Sequence, residues 1–288
     1  MTWQPPCVEG IEKHCNLEGE HMEYPTGIGT SDATSIRLLG HDLAGELLGH
    51  VGFGELALWL ATQQRPTLQQ VRVFEAVLVS LADHGFTPTA IAARLTLYSA
   101  PDALQGAMAA GLLGGGSRFL GVTEDTGRFL AGVLASVEGQ FPGTDEEWDT
   151  LARRAVAEQR AAGRFVPGLG HPVHKTADPR TAVIIAIAEQ EGLRGPHLRL
   201  FEAIGRVHAE VLGRRLPLNG AGVAGATLAD LGLPPEVLRG VSLLARAAGL
   251  LGHIAEELRH PIAPAIYTEI DRNAVYRPAA SNDIPEQR

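Results

Sequence analysis

Two capping boxes constrain this chain more than any other feature. Thr67 stands three residues before Gln70, and Thr144 three before Glu147, a spacing at which side chain and backbone cap each other at a helix start. After the first box, Val71, Phe74, Val77, Leu78 and Leu81 follow at helical period, so residues 67–83 read as an amphipathic helix. The second box opens a helix through Trp148, Leu151 and Val156 that stops near Gly163. Asp178-Pro179 offers an N-cap and a proline at the first helical position, and the apolar run 182–188 carries that helix to Gly192. Residues 198–212 and 235–258 read as two further helices. Strand signals are limited to residues 27–39, a short hairpin or extended arm. The expected fold is mainly α, and no repeat or heptad run points to a solenoid or coiled coil.

A chain of 288 residues suits one large domain or a large and a small one. Its 24 basic and 33 acidic residues give a net charge of −9, which repels phosphate backbones, so no nucleic acid is expected as a partner. The longest purely apolar run, 182–188, falls far short of the roughly 20 residues that span a bilayer, and Met1 opens no basic-then-apolar leader. A soluble, cytoplasmic protein with no membrane association is the expectation. The two cysteines, Cys7 and Cys15, lie near His14 and His21 but lack the Cys-x2-Cys pair of a zinc knuckle. That end reads as a mobile, reduced segment rather than a metal site, and residues 278–288 read as a disordered tail.

One loop concentrates chemistry. Between the helix ending at Gly163 and the one starting at Asp178 runs Phe165-Val166-Pro167-Gly168-Leu169-Gly170-His171-Pro172-Val173-His174-Lys175, followed by Asp178-Pro179-Arg180. The glycines let backbone approach a ligand closely. The histidines offer proton transfer, and Lys175 and Arg180 offer cations suited to carboxylate or phosphate. On composition alone, a solvated loop with surface charges accounts for the same residues. Lys175 nevertheless looks placed, because Lys13 is the only other lysine.

Gly168-x-Gly170-His171, with Arg180 nine residues after the histidine in Asp-Pro-Arg, resembles the signature of the citrate synthase superfamily. Gly40-His41-Asp42-Leu43, the stretch Phe53-Gly54-Glu55-Leu56-Ala57-Leu58-Trp59-Leu60, Arg65-Pro66-Thr67 and Ala82-Asp83-His84-Gly85 resemble its N-terminal half. Leu244-Ala245-Arg246 through His253, and Arg259-His260-Pro261, resemble its late arginine helix and the segment beyond. Gly111-Leu112-Leu113 to Arg118-Phe119 with Gly121 is closest to the citryl-CoA lyase portion of ATP citrate lyase and to stand-alone citryl-CoA lyases.

The resemblance implies a citrate synthase-like, mainly helical homodimer or dimer-based oligomer. In it a large domain (27–164 and 241–272) and a small domain (165–240) close over the cleft, flanked by a flexible segment 1–26 and a tail 273–288. The implied ligands are a coenzyme A thioester and a 2-oxo acid such as oxaloacetate, without a metal. His84 would hold the oxo acid. His171 would bond its ketone and serve in cleavage as base for the tertiary hydroxyl. Arg180 and Arg246 would clamp carboxylates, since arginine gives planar bidentate donors at fixed charge, and Arg259 would reach a neighbouring subunit's site. Val166, Gly168, Leu169 and Gly170 would wrap the adenine, with Lys175 on a CoA phosphate. Read without the family, His84 is a helix C-terminal histidine set against the dipole, and Arg246, amid leucines, needs an anionic partner. His253 reads as a core histidine, His41 and His50 as structural, and His174 is left undecided.

Two departures stand out. Ser117 occupies the place of the histidine that citrate synthases aim at the thioester carbonyl, a change that points toward the lyase branch. The family's Asn-Val-Asp reads Asn219-Gly220-Ala221, and Ala221 cannot carry a proton. A missing acid or base removes about 10²- to 10⁴-fold of rate, which falls hardest on the synthase direction. In cleavage, water could protonate the released enolate, another carboxylate such as Asp83 or Glu124 could take over, or the substrate could need no such base. The expected function is citryl-CoA lyase-like cleavage or formation of the bond between an acyl-CoA and a 2-oxo acid. The alternatives are a synthase-type acyltransferase with altered substrate and a non-catalytic binder of CoA or carboxylate.

Overall fold

The structure, a computed structural model, describes residues 24–278. The expectations placed on Cys7, Cys15, His14, His21 and residues 279–288 lie outside the described residues. The chain divides into two compact units, one ending at Val51 and the other beginning at Gly52.

In the first unit, β1 (Gly29–Ser31), β2 (Ile36–Leu38) and β3 (His41–Asp42) form an antiparallel sheet in that order. Asp32 makes the first turn: its carboxylate accepts bonds from the backbone and hydroxyls of Thr34 and Ser35, which hold its pKa down at about 2. Asp42 then caps a π-type turn over Leu43–Leu47. The strand-like stretch 27–39 is therefore a hairpin.

The second unit is helical throughout. Its helices are α1 (Phe53–Thr62), α2 (Leu68–Ala82), α3 (Pro88–Ser99), α4 (Leu104–Leu113), α5 (Val122–Ala135), α6 (Asp145–Ala161), α7 (Pro179–Gln190), α8 (Pro196–Leu212), α9 (Gly220–Asp230), α10 (Pro235–Arg259) and α11 (Ala263–Asn273). Both capping boxes close as the spacing predicts, at the starts of α2 and α6. Asp178 caps α7, and its side chain accepts the Arg180 N–H.

The core gathers α2, α5, α8, α9 and α10 around fully buried Phe74, Val77, Leu130, Phe201, Ile204 and Leu238. Truncating one of these to alanine typically costs about 2–5 kcal/mol. Helix α9 lies at the centre and buries Val223 through Leu228 without a polar face. It touches α5 backbone to backbone, because a side chain on Gly225 would occupy the position of the Thr123 carbonyl. Helix α10 has the length and apolar composition of a membrane span, yet it packs against α2, α3, α4, α5 and α9.

Candidate active site

Helices α2, α5, α7, α9 and α10 each present an end or a face to one cavity of about 900 Å³, a size suited to a cofactor-scale ligand. The turn after α2 gives His84, Phe86 and Thr87. The connection between α4 and α5 gives Ser117 and Arg118. The loop after α6 gives residues 164–173, the first turns of α7 and α9 give Arg180 and Ala221, and α10 gives Arg246.

The Gly/His loop is tied to the start of α9. The Gly170 N–H donates to the Pro217 carbonyl at 2.8 Å and the Asn219 N–H to the Gly168 carbonyl at 2.9 Å. Asn219 Nδ2 donates to the Gly170 carbonyl at 2.7 Å, while its Oδ1 caps α9 on the Gly222 N–H. Gly168 is required twice over: its φ is +82°, and Phe201 and Gly222 fill the space a Cβ would need.

His171 follows on this anchored backbone. Its Nδ1 accepts the N–H groups of Val173 at 3.1 Å and His174 at 2.9 Å. The neutral ring therefore carries its proton on Nε2. Burial lowers its pKa below 6.5, His174, His84 and Arg180 push the same way, and Asp178 opposes them. At neutral pH the ring is an Nε2–H donor. This differs from the base expected for the hydroxyl, because neither nitrogen of that tautomer has a lone pair left for it.

The two arginines expected as clamps are held differently. Arg180 donates through Nε and Nη2 to both Asp178 oxygens, at 3.0 and 2.7 Å, and through Nη1 to the Ser80 carbonyl at 3.1 Å. Burial pushes the Asp178 carboxyl up, but Arg180 and the Gly220 N–H together draw it well below the usual carboxylate range. Arg246 is 6% exposed. Its Nε has no partner, and its other contacts are long, to Thr87 Oγ1 at 3.3 Å and the Leu81 carbonyl at 3.5 Å. Burial lowers its pKa, opposed by the Asp83 charge.

His84 is positioned from behind. Asp83 accepts the Gly85 N–H at 2.8 Å and binds His253 Nε2 at 2.9 Å. His253 Nδ1 in turn accepts from Arg94, a fully buried arginine paired with Glu257. His253 thus has both nitrogens satisfied, as expected of a core histidine.

The cavity brings together His84, His171, Arg180, Arg246, Val166, Gly168, Leu169 and Gly170. It does not include Lys175 or Arg259. Lys175 Nζ bonds the His171 carbonyl at 3.2 Å, and Arg259 is exposed at the end of α10. The cations that do line it beyond Arg180 and Arg246 are Arg118, which lies in the lyase-like stretch but was given no role there, and Arg128 and Arg164, which belong to no motif. Donor atoms of His84, His171 and His174 lie within 4.8 Å of one another, in reach of a single metal ion. The hydrogen bonding opposes that use, since a metal-bound histidine ordinarily donates through its second nitrogen whereas His171 Nδ1 accepts.

Residues 40–277 match the sequence family described as citrate synthase, C-terminal domain. The chain belongs to the citrate synthase family. Among solved structures, citryl-CoA lyase from Hydrogenobacter thermophilus superposes with a TM-score of 0.78 at 28% identity, over 91% of this chain and 97% of that one. ATP citrate lyase from Methanothrix soehngenii, in complex with citrate and coenzyme A, shares the fold at 20% identity and a TM-score of 0.71, over 98% of this chain and 46% of that one. The citrate synthase of Deinococcus radiodurans is 28% identical over 210 residues, 69% of this chain and 50% of that protein. The chain spans about half the length of the curated citrate synthases it matches.

Within this citrate synthase family cavity, both departures face the ligand space: Ser117 and Ala221 are lining residues. A side chain at Gly220 would collide with the Arg180 guanidinium. The carboxylates named as replacements for the lost aspartate are engaged elsewhere. Asp83 is tied to Gly85 and His253, and Glu124 pairs with Arg128 and Arg239.

Proposed function

We propose that this citrate synthase family member cleaves a 3-hydroxy-3-carboxyacyl-CoA such as citryl-CoA into an acyl-CoA and a 2-oxo acid such as oxaloacetate. The observation that carries this reading is the nearly end-to-end correspondence with a citryl-CoA lyase, around a cavity that keeps His84, His171, Arg180 and Arg246. Five arginines line that cavity against a single acidic residue, a balance that favours a polyanionic ligand.

In this reading Arg246 takes a substrate carboxylate as its missing partner, and Arg180, already fixed by Asp178, presents its remaining N–H groups beside it. His84 holds the oxo-acid half. His171 Nε2–H donates to the hydroxyl oxygen as negative charge develops there, the kind of preorganised donor that stabilises a transition state. Backbone of the loop from Val166 to Gly170 meets the adenine, and Arg118 and Arg164, rather than Lys175, meet the CoA phosphates. A homodimer in which Arg259 reaches the second subunit's cavity is part of the same proposal, as is a cytoplasmic setting.

The loss of proton-transfer groups at Ser117 and Ala221 favours a second reading, a non-catalytic binder of CoA or carboxylate. One experiment separates the two. Citryl-CoA is added to the protein, and oxaloacetate is followed through malate dehydrogenase and loss of NADH absorbance. Release that disappears in His171→Ala supports cleavage, whereas calorimetric binding of CoA without release supports the binder. A synthase with a relocated base would instead give citrate and free CoA from acetyl-CoA and oxaloacetate, and absence of α-hydrogen exchange with solvent deuterium would count against it.

A further inference from the structure

We infer that Asp125 carries the proton that the family's lost aspartate would carry, an inference that rests on the lyase reading above. Asp125 is the only acidic residue among those lining the cavity. It is half-buried in the first turn of α5, and among the described residues its side chain has no hydrogen-bond or ion-pair partner. Every neighbouring carboxylate is tied: Asp83 to Gly85 and His253, Glu124 to Arg128 and Arg239, Asp178 to Arg180 and Gly220.

Asp125 on α5 and the vacated position, Ala221 on α9, line one cavity and stand on two helices packed against each other. The two helices touch at the Thr123 carbonyl and Gly225. Asp125 is two residues from that contact along α5, and Ala221 is one turn from it along α9. Both line the same cavity. A carboxylate leaving α9 and one arriving on α5 serve the same space, so the exchange needs no rearrangement of fold.

The step balances with one group. The Asp125 carboxylate takes the proton of the tertiary hydroxyl, and the O–H electron pair becomes the second bond of the ketone. The bond between the carbinol carbon and the thioester α-carbon breaks, leaving its electron pair on the thioester as an enolate. Asp125, now protonated, returns that proton to the α-carbon, so acyl-CoA and 2-oxo acid leave and the carboxylate is restored. Hydroxyl and α-carbon are attached to the same carbinol carbon, within reach of one carboxylate, while the His171 Nε2–H stabilises the oxygen throughout.

The test compares wild type, Asp125→Asn and the double variant Asp125→Asn/Ala221→Asp with citryl-CoA as substrate. It records oxaloacetate release and, for acetyl-CoA with oxaloacetate in deuterium oxide, α-hydrogen exchange. Asp125→Asn preserves shape and is expected to lower kcat and exchange together by about 10²- to 10⁴-fold with little change in KM. The double variant, which moves a carboxylate to the family's position, is expected to recover part of both. Its recovery also shows that the single variant is folded. An active wild type with Asp125→Asn within threefold of it overturns the assignment alone. A wild type with neither release nor exchange overturns the lyase reading and this assignment with it.

Discussion

Arg180 and Arg246 line the same cavity with the same chemistry, and the protein treats them in opposite ways. Arg180 is spoken for: both Asp178 oxygens and the Ser80 carbonyl take its N–H groups. Arg246, more deeply buried, has an unpartnered Nε and only long contacts elsewhere. A buried guanidinium without an anion is a standing electrostatic penalty. The same contrast separates Asp178 from Asp125 and the doubly bonded His253 from the donor His171. In the proposed reading, groups with bonds inside the protein fix the geometry of the site, and groups with bonding capacity left over are the ones offered to the ligand.

Breaking that contrast should separate activity from stability. The largest effect is expected for His171→Ala, with kcat for citryl-CoA cleavage falling by about 10²- to 10⁴-fold and substrate affinity moving much less, as read by kinetics beside calorimetry. Next comes Arg180→Leu, which strands the fully buried Asp178 carboxylate. Loss of one partner of such a pair costs about 3–5 kcal/mol, visible as a lower urea midpoint. Arg246→Leu reverses the pattern. It removes charge-assisted bonds worth about 1.5–3 kcal/mol, so oxaloacetate affinity should weaken by about 10- to 100-fold while the urea midpoint holds or rises.

Smaller effects sharpen the picture. Because the Asp178 pKa is depressed from 3.8, the stability it contributes is fully present above pH 3.8 and is lost as pH falls below that. In Arg180→Leu this acid dependence should weaken. His171 has its pKa lowered from 6.5, so the neutral donor persists into mild acid, and the acid limb of kcat/KM should fall below pH 6.5. The smallest effect is expected for Lys175→Met, whose side chain is turned to the His171 carbonyl: CoA affinity should stay within about threefold of wild type, whereas Arg164→Ala weakens it further.

Much of the scaffold was legible because its helix starts are chemically explicit. Thr67 with Gln70, Thr144 with Glu147 and Asp178-Pro179 each produce the cap that their spacing predicts. Helix α9 was not legible: Gly-Ala-Gly-Val-Ala-Gly-Ala has no polar face to set a period, since every side is packed. Helix α5 was missed for another reason, as it opens after Gly121 without a side-chain cap. That gap hid Asp125. Its place in the cavity depends on how α5 packs among helices far apart in sequence. His84, His171, Arg180 and Arg246 were found through motif resemblance, while Arg118 lay in a resembling stretch without a role and Arg164 belongs to no motif, so both became visible as candidates only as lining residues.

The most direct test follows the fate of citryl-CoA by mass spectrometry, counting products rather than rates. A lyase divides it at the carbon–carbon bond, and a synthase completes its cycle by hydrolysing the thioester. The account predicts acetyl-CoA and oxaloacetate in equal amounts with no free CoA in excess of a protein-free control. Citrate and free CoA as the products, or intact citryl-CoA beside folded protein, would contradict it.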